Sequence, residues 1–451
     1  MHKLMFQRII LFIAIAFSAM AQEASLSSKL DRAAEAYQKN RRFMGSVLVA
    51  KGDKVIHEKG YGLANIEWNV PNSPVTKFRL GSITKQFTAT AILQLQEQGK
   101  LKVTDLACKY VDDCPDKWKA VTIHQLLSHT SGIPSYTEIP GFFTPKTARI
   151  PLSPVEIVML TKDKPMEFQP GEGWKYDNSG YVFLGAIIEK ASGEKYADYL
   201  EKHIFAPLDM NDSGYDVTSK ILPNRASGYE PSGPTSFKNA DYLDMSLPHA
   251  AGSLYSTARD LYRWDRALYT DKVLSKESRE KMFTVVSRNY AYGWMVAPMF
   301  NHKQIGHGGG INGFSTQISR FPDDDAVVIV LSNNMAGNPG ALARDLAATL
   351  FGEKVTLPGE EKIVSVDSKV LDRHVGTYDV GPMKITVTNE TGHLMIQPTN
   401  QPKFEALPLS ETQFTVRQVG ATLNFVVGPD GRAAELKLTQ GGQTMSGKRV
   451  N

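Results

Sequence analysis

The most informative stretch of the chain reads LGSITKQF, at residues 80–87. From residue 83 onward, apolar residues recur at steps of three and four, which is the period of a helix with one buried face. Gly99 follows the last apolar turn, in the position where a left-handed cap commonly ends a helix. Because residues three apart share a helix face, Ser82 and Lys85 are predicted to point the same way at the start of this helix.

A serine and a lysine in this arrangement can act as a nucleophile and its base. Burial removes water from the lysine, which lowers its pKa and favours the neutral amine. The alternative is that Ser82 only caps the helix and Lys85 is a solvated charge. The S-x-x-K pattern also begins at Ser192 and Ser278, but only Ser82 opens a largely apolar helix.

The first residues, 1–21, have the pattern of a secretory signal peptide. Lys3 and Arg8 precede an apolar run, and the A-M-A motif at residues 19–21 supplies a small-x-small cleavage site. We therefore expect a periplasmic or secreted protein that begins at Gln22. No later apolar run is long enough to cross a bilayer, so no membrane span is expected.

The charge balance excludes some partners. The 51 basic and 47 acidic residues give a formal net charge of +4, and cleavage of the signal peptide lowers it further. So small a charge gives no electrostatic basis for binding nucleic acid or an anionic membrane. The expected partner is a small-molecule or peptide substrate.

The two cysteines, Cys108 and Cys114, enclose only five residues. An exported protein meets an oxidising compartment, so we expect a local disulfide. Two cysteines without neighbouring histidines argue against a zinc site, and no metal is expected.

Tyr176 and Asn178 lie in a second informative stretch, a predicted loop that leads into an apolar helix at residues 182–188. A phenol and an amide two residues apart can face one cleft, where the phenol exchanges protons and the amide binds the lysine and the substrate. Of the 17 tyrosines, only Tyr176 is followed two residues later by asparagine. The alternative is a tyrosine in a surface turn.

The third stretch reads GHGGGINGF, at residues 306–314. Part of it matches the dinucleotide-binding pattern G-x-G-x-x-G, which needs a helix immediately afterwards. Residues 314–321 and 326–332 instead read as two strands of a hairpin, which excludes that site. Glycines on a strand allow a substrate to approach closely and offer an N–H to an oxyanion. The alternative is a flexible loop in which His307 occurs by chance.

Together these three stretches resemble the class C branch of the serine β-lactamase and penicillin-binding-protein superfamily. The motifs are S-I-T-K from Ser82, Y-D-N from Tyr176 and H-G-G from His307, and LSHTSG at residues 127–132 is also similar to the family. The resemblance covers about residues 40–350. It implies an α+β fold with an antiparallel sheet flanked by helices, a helical subdomain, and an acyl-enzyme reaction in the cleft between them. It implies no metal or organic cofactor.

The resemblance also implies a role for each residue of the cleft. In enzymes of this family, a serine attacks the substrate carbonyl, a lysine and a tyrosine share the proton transfers, and backbone N–H groups bind the oxyanion. The residues are Ser82, Lys85 and Tyr176 as catalytic groups, Asn178, His307 and Gly309 as substrate-binding groups, and Ser82 and Gly310 as backbone donors to the oxyanion.

Two residues depart from the family pattern. Asp177 stands where serine is common, and its negative charge favours a protonated Lys85. His307 replaces the lysine with which class C β-lactamases bind the substrate carboxylate, and histidine is largely neutral at pH 7. We therefore expect a hydrolase of D-amino-acid peptides or small esters. The alternatives are a class C-type β-lactamase and, in another functional class, a penicillin-binding sensor or carrier that is acylated without turnover.

The composition changes after residue 352. Residues 353–369 are a predicted linker, which leaves residues 22–352 as the hydrolase domain. Residues 370–451 alternate between apolar and polar positions, with turn motifs between the segments, and predict a small antiparallel β domain, either a barrel or a sandwich. It resembles the lipocalin-like C-terminal domains of some relatives. Its expected roles are homo-oligomerisation, substrate gating or capping.

Overall fold

The computed structural model describes residues 25–40, 43–232, 236–381, 383–399, 401, 403–417, 419–440 and 443–450. The predicted signal peptide, residues 1–21, lies outside the described residues. The chain divides into two compact units. We call Met44–Glu230 and Asn239–Met335 the sheet unit, and we call the described parts of Met1–Phe43, Pro231–Lys238 and Ala336–Asn451 the barrel unit.

Short and long strands alternate with loops up to residue 332. They are β1 (Gly45–Lys51), β2 (Lys54–Tyr61), β3 (Leu63–Asn65), β4 (Val70–Pro71), β5 (Phe78–Arg79), β6 (Gly214–Tyr215), β7 (Tyr229–Pro231), β8 (Phe237–Asn239), β9 (Leu254–Ser256), β10 (Met295–Met299), β11 (His302–Ile311), β12 (Phe314–Phe321) and β13 (Ala326–Ser332).

The helices are mostly short. They are α1 (residues 25–40), α2 (Thr84–Glu97), α3 (Ile123–Leu127), α4 (Pro154–Met159), α5 (Asn178–Ser192), α6 (Tyr196–Leu200), α7 (His249–Gly252), α8 (Ala258–Ala267), α9 (Lys276–Phe283), α10 (Pro339–Phe351) and α11 (Ser368–Leu371). In the part of the chain that the structure describes, none of them is both long and apolar enough to cross a membrane.

The sheet unit is built on a six-stranded antiparallel sheet with the order β10-β11-β12-β13-β1-β2. Its central strand β13 has the sequence AVVIVLS and is buried throughout. β1 pairs with it along its whole length, from Gly45 opposite Ser332 to Lys51 opposite Ala326. Continuous apolar strands of this kind are typical of a sheet with both faces covered. The fold is thus the expected α+β fold.

Helix α2 forms where its apolar period predicts a helix, but it is buried on nearly all sides and not on one face only. A 3₁₀ turn at Gly81–Ile83 leads into it, and nearly all of its side chains are buried. Gly99 has a φ of 68° just beyond its end, as a left-handed cap requires. Ser82 makes no capping hydrogen bond with its side chain. The hydroxyl of Ser82 therefore does not serve as a helix cap.

Cys108 and Cys114 are joined by a disulfide. The first cysteine lies in the short 3₁₀ segment Ala107–Tyr110, and both side chains pack against the apolar core of the sheet unit. The bond closes one small loop beside this core.

The C-terminal domain is a closed barrel of antiparallel strands. The strands are β14 (Gly376–Asp379), β15 (Lys384–Glu390), β16 (His393–Pro398), β17 (Phe404–Pro408), β18 (Gln413–Val416), β19 (Ala421–Val427), β20 (Ala433–Gln440) and β21 (Gln443–Arg449). Apolar side chains, among them Tyr378, Phe414 and Phe425, pack into a core of its own. Of the two architectures expected, barrel or sandwich, the barrel is the one formed.

Candidate active site

Lys85 lies at the centre of the cleft and connects two of the three sequence motifs. Its Nζ is 3.1 Å from Ser82 Oγ, 2.9 Å from Asn178 Oδ1 and 2.9 Å from the carbonyl oxygen of Ala251. An ammonium group would donate all three of its protons to these oxygens. A neutral amine has two N–H donors, which suit Asn178 and Ala251, and its lone pair can then accept the proton of the Ser82 hydroxyl.

Burial favours the neutral form of this lysine. The Lys85 side chain has no exposed surface, and its burial lowers the pKa of the amine to about 7, while the charge of Asp177 opposes this shift. The sequence analysis expected Asp177 to favour the protonated lysine. Its effect has that sign but is smaller than the effect of burial. Lys85 can therefore act as a base near neutral pH.

Tyr176 lies beside the lysine, with its ring centroid 4.9 Å from Lys85 Nζ. Its hydroxyl is buried and has no hydrogen-bond partner among the described residues. Burial raises the pKa of this phenol above its ordinary value. The Ser82 hydroxyl lies close enough to lower the pKa in part, although the two hydroxyls do not form a hydrogen bond. Tyr176 is thus a protonated phenol in the cleft, and the alternative of a surface tyrosine does not hold.

The first turn of α5 holds Asn178 in a fixed orientation. The side chain of Asp177 caps the helix by accepting a hydrogen bond from the Gly180 N–H at 2.7 Å. The Asn178 backbone N–H donates to Ser135 Oγ at 3.1 Å, and its Nδ2 donates to Thr137 Oγ1 at 3.2 Å. Asn178 Oδ1 is therefore directed at Lys85.

Strand β11 brings the third motif to the same cleft. Its pairing with β10 ends at Gly306, so the segment from His307 to Ile311 pairs with β12 on one side only among the described strands. A Cβ atom on Gly81 would lie 2.8 Å from the backbone nitrogen of Gly310. The residue before Ser82 thus packs directly against Gly310, which places the two expected oxyanion donors on touching segments.

His307 is neutral at pH 7. Its side chain is 6% exposed, and burial, followed by the charge of Lys85, lowers its pKa to about 4. Its Nδ1 is 2.6 Å from the Gly308 carbonyl oxygen and its Nε2 is 3.2 Å from Tyr290 Oη. Since a carbonyl only accepts, Nδ1 carries the proton and Tyr290 donates to Nε2. His307 supplies no positive charge to a bound carboxylate.

Three contributors to the cleft were not assigned from the sequence. The Ala251 carbonyl acts through the backbone, so no side chain marks it. Tyr290 reaches His307 from a hairpin turn closed by a hydrogen bond of 2.7 Å from its N–H to the Ser287 carbonyl oxygen. His129 packs its ring 4.3 Å from Tyr176 and 4.6 Å from Tyr290, and its Nδ1 accepts the Asp177 N–H at 3.2 Å. His129 lies in the LSHTSG stretch, which was the one available signal.

Comparison with known proteins gives a consistent set of relatives. The family model described as Beta-lactamase matches residues 30–353. Penicillin-binding protein 4* of Bacillus subtilis (strain 168) is 31% identical over 425 residues, which cover 88% of this chain and 93% of that protein.

Solved structures extend this similarity to the whole fold. The octameric penicillin-binding protein homologue from Pyrococcus abyssi superposes with a TM-score of 0.67 at 28% identity, covering 93% of this chain and 99% of that one. A D-stereospecific amidohydrolase from Streptomyces sp. superposes with a TM-score of 0.62 at 27% identity, covering 73% of this chain and 99% of that one.

Proposed function

We propose, because the chain belongs to the beta-lactamase family, that this serine hydrolase cleaves amide bonds of D-amino-acid peptides or amides through an acyl-enzyme on Ser82. One observation carries the proposal. The buried amine of Lys85 lies within hydrogen-bond distance of both Ser82 Oγ and Asn178 Oδ1. A nucleophile, its base and the group that orients the base are thereby joined.

Acylation begins with proton transfer from Ser82 to the neutral amine of Lys85. The Ser82 oxygen attacks the substrate carbonyl, and the backbone N–H groups of Ser82 and Gly310 stabilise the oxyanion. Tyr176 is protonated and lies beside Lys85, so it donates a proton to the departing amine as the C–N bond breaks. Lys85 then reprotonates Tyr176.

Deacylation uses the same groups in the reverse order. Tyr176 passes its proton to the neutral amine of Lys85 and takes one from water, whose oxygen attacks the acyl carbonyl. The tetrahedral intermediate collapses, the bond to Ser82 breaks, and the protonated Lys85 returns its proton to the serine oxygen. The products are a carboxylate and the amine released earlier.

The neutral state of His307 favours substrates without a carboxylate at that end of the cleft. A charge-assisted hydrogen bond contributes about 1.5–3 kcal/mol, against about 0.5–1.5 kcal/mol for a neutral one. A β-lactam carboxylate gains less here than it would from a lysine. The similarity to a D-stereospecific amidohydrolase supports D-aminoacyl amides as the first class to test.

The test is a substrate panel of D- and L-aminoacyl amides, a D-Ala-D-Ala peptide, a short neutral ester and nitrocefin, with the acyl-enzyme followed by mass spectrometry. We expect sustained turnover, with the D-amide preferred over its L-isomer. Ser82→Ala should lose both turnover and acylation, whereas Ser192→Ala, in a second S-x-x-K sequence, should retain them.

Other results would point to other functions. Faster turnover of nitrocefin than of every amide would indicate a β-lactamase. A single equivalent of product with a stable adduct would indicate a sensor or carrier. Acylation that persists in Ser82→Ala would contradict the proposal itself.

Export and self-association belong to the same proposal. A signal peptide at residues 1–21 predicts that the mature N terminus is Gln22, which N-terminal sequencing checks.

The octameric state of the Pyrococcus abyssi homologue supports homo-oligomerisation, for which we propose the C-terminal barrel. Light scattering of the full chain measures it.

A further inference from the structure

A cavity of about 520 Å³ lies in the sheet unit. Its walls come from the end of α8, from α9 and from strands β11 and β12, and they include Tyr269, Phe283, Ile305 and Arg320. Neither Ser82, Lys85 nor Tyr176 lines it. Its volume is within the range of small-molecule sites.

Arg320 provides a buried positive charge in the cavity lining. Its side chain is 2% exposed, and its Nε donates to Asp265 Oδ1 at 2.9 Å. Its Nη2 is buried without a hydrogen-bond partner in the described chain. Asp265 is also bound by Arg266, at 2.8 Å. The Asp265 carboxylate is therefore shared by the guanidinium groups of Arg320 and Arg266. The Nη2 group of Arg320 remains without an acceptor among the described residues.

Tyr269 adds a second unused polar group to the same lining. Its hydroxyl is buried and has no partner among the described residues. The Arg320 guanidinium lies 4.8 Å from the Tyr269 ring centroid and 5.2 Å from that of Phe283. Buried polar atoms are rarely left unpaired unless a ligand, ion or water meets them. Tyr269 and Arg320 both line the cavity and each keeps one polar atom unpaired within the described chain, which makes the cavity a candidate binding site.

The rim gives the cavity little net charge of its own. Lys276 pairs with Glu280 at 3.8 Å. Lys303 and Asp323 are both exposed, and neither has an ion-pair partner in the described residues. Arg279 also lines the cavity, but its guanidinium pairs with Asp271 at 2.6 Å. The rim charges therefore largely offset one another, and Arg320 is the lining cation that keeps an unpaired donor in the part of the chain that the structure describes.

We propose that this cavity binds a small carboxylate that carries an apolar group. A guanidinium matches a carboxylate in shape and charge, and the Tyr269 hydroxyl can donate a further hydrogen bond to it. Phe283 and Ile305 would contact the apolar part of the ligand. This proposal does not rest on the reaction proposed at Ser82.

The test is isothermal titration of the full-length protein with benzoate and, as an uncharged analogue, benzyl alcohol. We expect benzoate to bind at one site and benzyl alcohol to bind about tenfold more weakly, since a tenfold change is close to the difference between a charge-assisted and a neutral hydrogen bond. Tyr269→Phe removes only the unpaired hydroxyl and should weaken benzoate binding while the fold is kept. Lys303→Glu places a negative charge at the rim and should weaken it as well.

The matched control is Lys162→Glu, which makes the same charge change at an exposed lysine that does not line the cavity. It should bind benzoate like the wild type. Absence of benzoate binding, equal binding of benzyl alcohol, or unchanged affinity in both Tyr269→Phe and Lys303→Glu would each overturn the proposal.

Discussion

Gly309 on β11 lies directly against the carbonyl oxygen of Leu80, two residues before the proposed nucleophile. A Cβ atom on Gly309 would come within 1.9 Å of that oxygen and 2.4 Å of Thr316 Oγ1. Thr316 Oγ1 donates a hydrogen bond of 2.7 Å to the same Leu80 oxygen. The contact between β11 and the segment that carries Ser82 therefore requires a residue without a side chain at position 309.

Gly309→Ala should damage both stability and catalysis. The new methyl group must push Leu80 away, and overpacking of this kind costs typically about 1–3 kcal/mol. Gly308→Ala is the matched control, because its methyl would first meet Gln317 Oε1, the end of a flexible side chain, at 3.1 Å. Urea unfolding and the rate of acylation would be measured for both. Equal effects of the two substitutions would show that the close approach at Gly309 is not needed.

His307→Lys should shift substrate preference toward carboxylates. The permanent ammonium group can form a charge-assisted hydrogen bond, worth about 1.5–3 kcal/mol, with a substrate carboxylate. A neutral ester gains nothing, and repulsion between the new charge and Lys85 should hold or lower its turnover. The measurement is kcat/KM for nitrocefin and for a short neutral ester, with His307→Gln as the uncharged control. If the ratio of the two does not move toward nitrocefin, His307 does not face the substrate carboxylate.

The reaction should accelerate as the pH rises through the pKa of Lys85. Burial lowers that pKa to about 7, so the basic amine forms above this pH, and kcat/KM for an uncharged amide should rise there. Burial also raises the pKa of Asp177 to about 7, so its negative charge forms over the same pH range. Asp177→Asn keeps an acceptor for the Gly180 N–H but removes that charge, which raises the pKa of Lys85. The rise of kcat/KM with pH should therefore occur at lower pH in this variant.

The control for this shift is Asp112→Asn, a change at an exposed carboxylate of the sheet unit. Its pH profile should match that of the wild type. If the pH at which kcat/KM rises is unchanged or higher in Asp177→Asn, the titrating group is not Lys85.

A chain ending at Gly352 should fold and hydrolyse esters without the barrel. The barrel has its own apolar core, built from side chains such as Tyr378, Leu423 and Leu436, and a domain with its own core can generally be removed as a unit. Circular dichroism melting and ester hydrolysis would be compared with those of the full chain. An insoluble or inactive product would mean that the barrel completes the hydrolase.

Much of the fold follows from local patterns in the sequence. β12 and β13 begin and end at the residues expected, because apolar runs of strand length are bounded there by a polar turn. Within the predicted β domain, residues 370–451, the alternating pattern does not mark β17 or β21. β17 ends in Pro408, and β21 has the largely polar sequence QTMSGKR, so neither shows a clear apolar alternation. Closure of the barrel, and not local propensity, orders these two strands.

The candidate site was predicted only as far as its motifs reach. Ser82, Lys85 and Asn178 are recognisable by residue type and spacing, and the structure brings them into contact. The Ala251 carbonyl comes from a segment far from Lys85 in the chain, and the Tyr290 hydroxyl reaches His307 from a nearby turn through tertiary packing. The pKa values of Lys85 and His307 depend on burial, which spacing does not reveal.

The closed hydrogen-bond ladder of the barrel also limits how this domain can associate with others. In its described part every strand pairs with a neighbour on each side, from β14 round to β21 and back. Such a ring leaves no open strand edge onto which a second chain could add a strand. Self-assembly through this domain would have to use outward-facing side chains. A few surface substitutions could then change the number of subunits without disturbing the barrel, so that assembly state and folding are free to evolve separately.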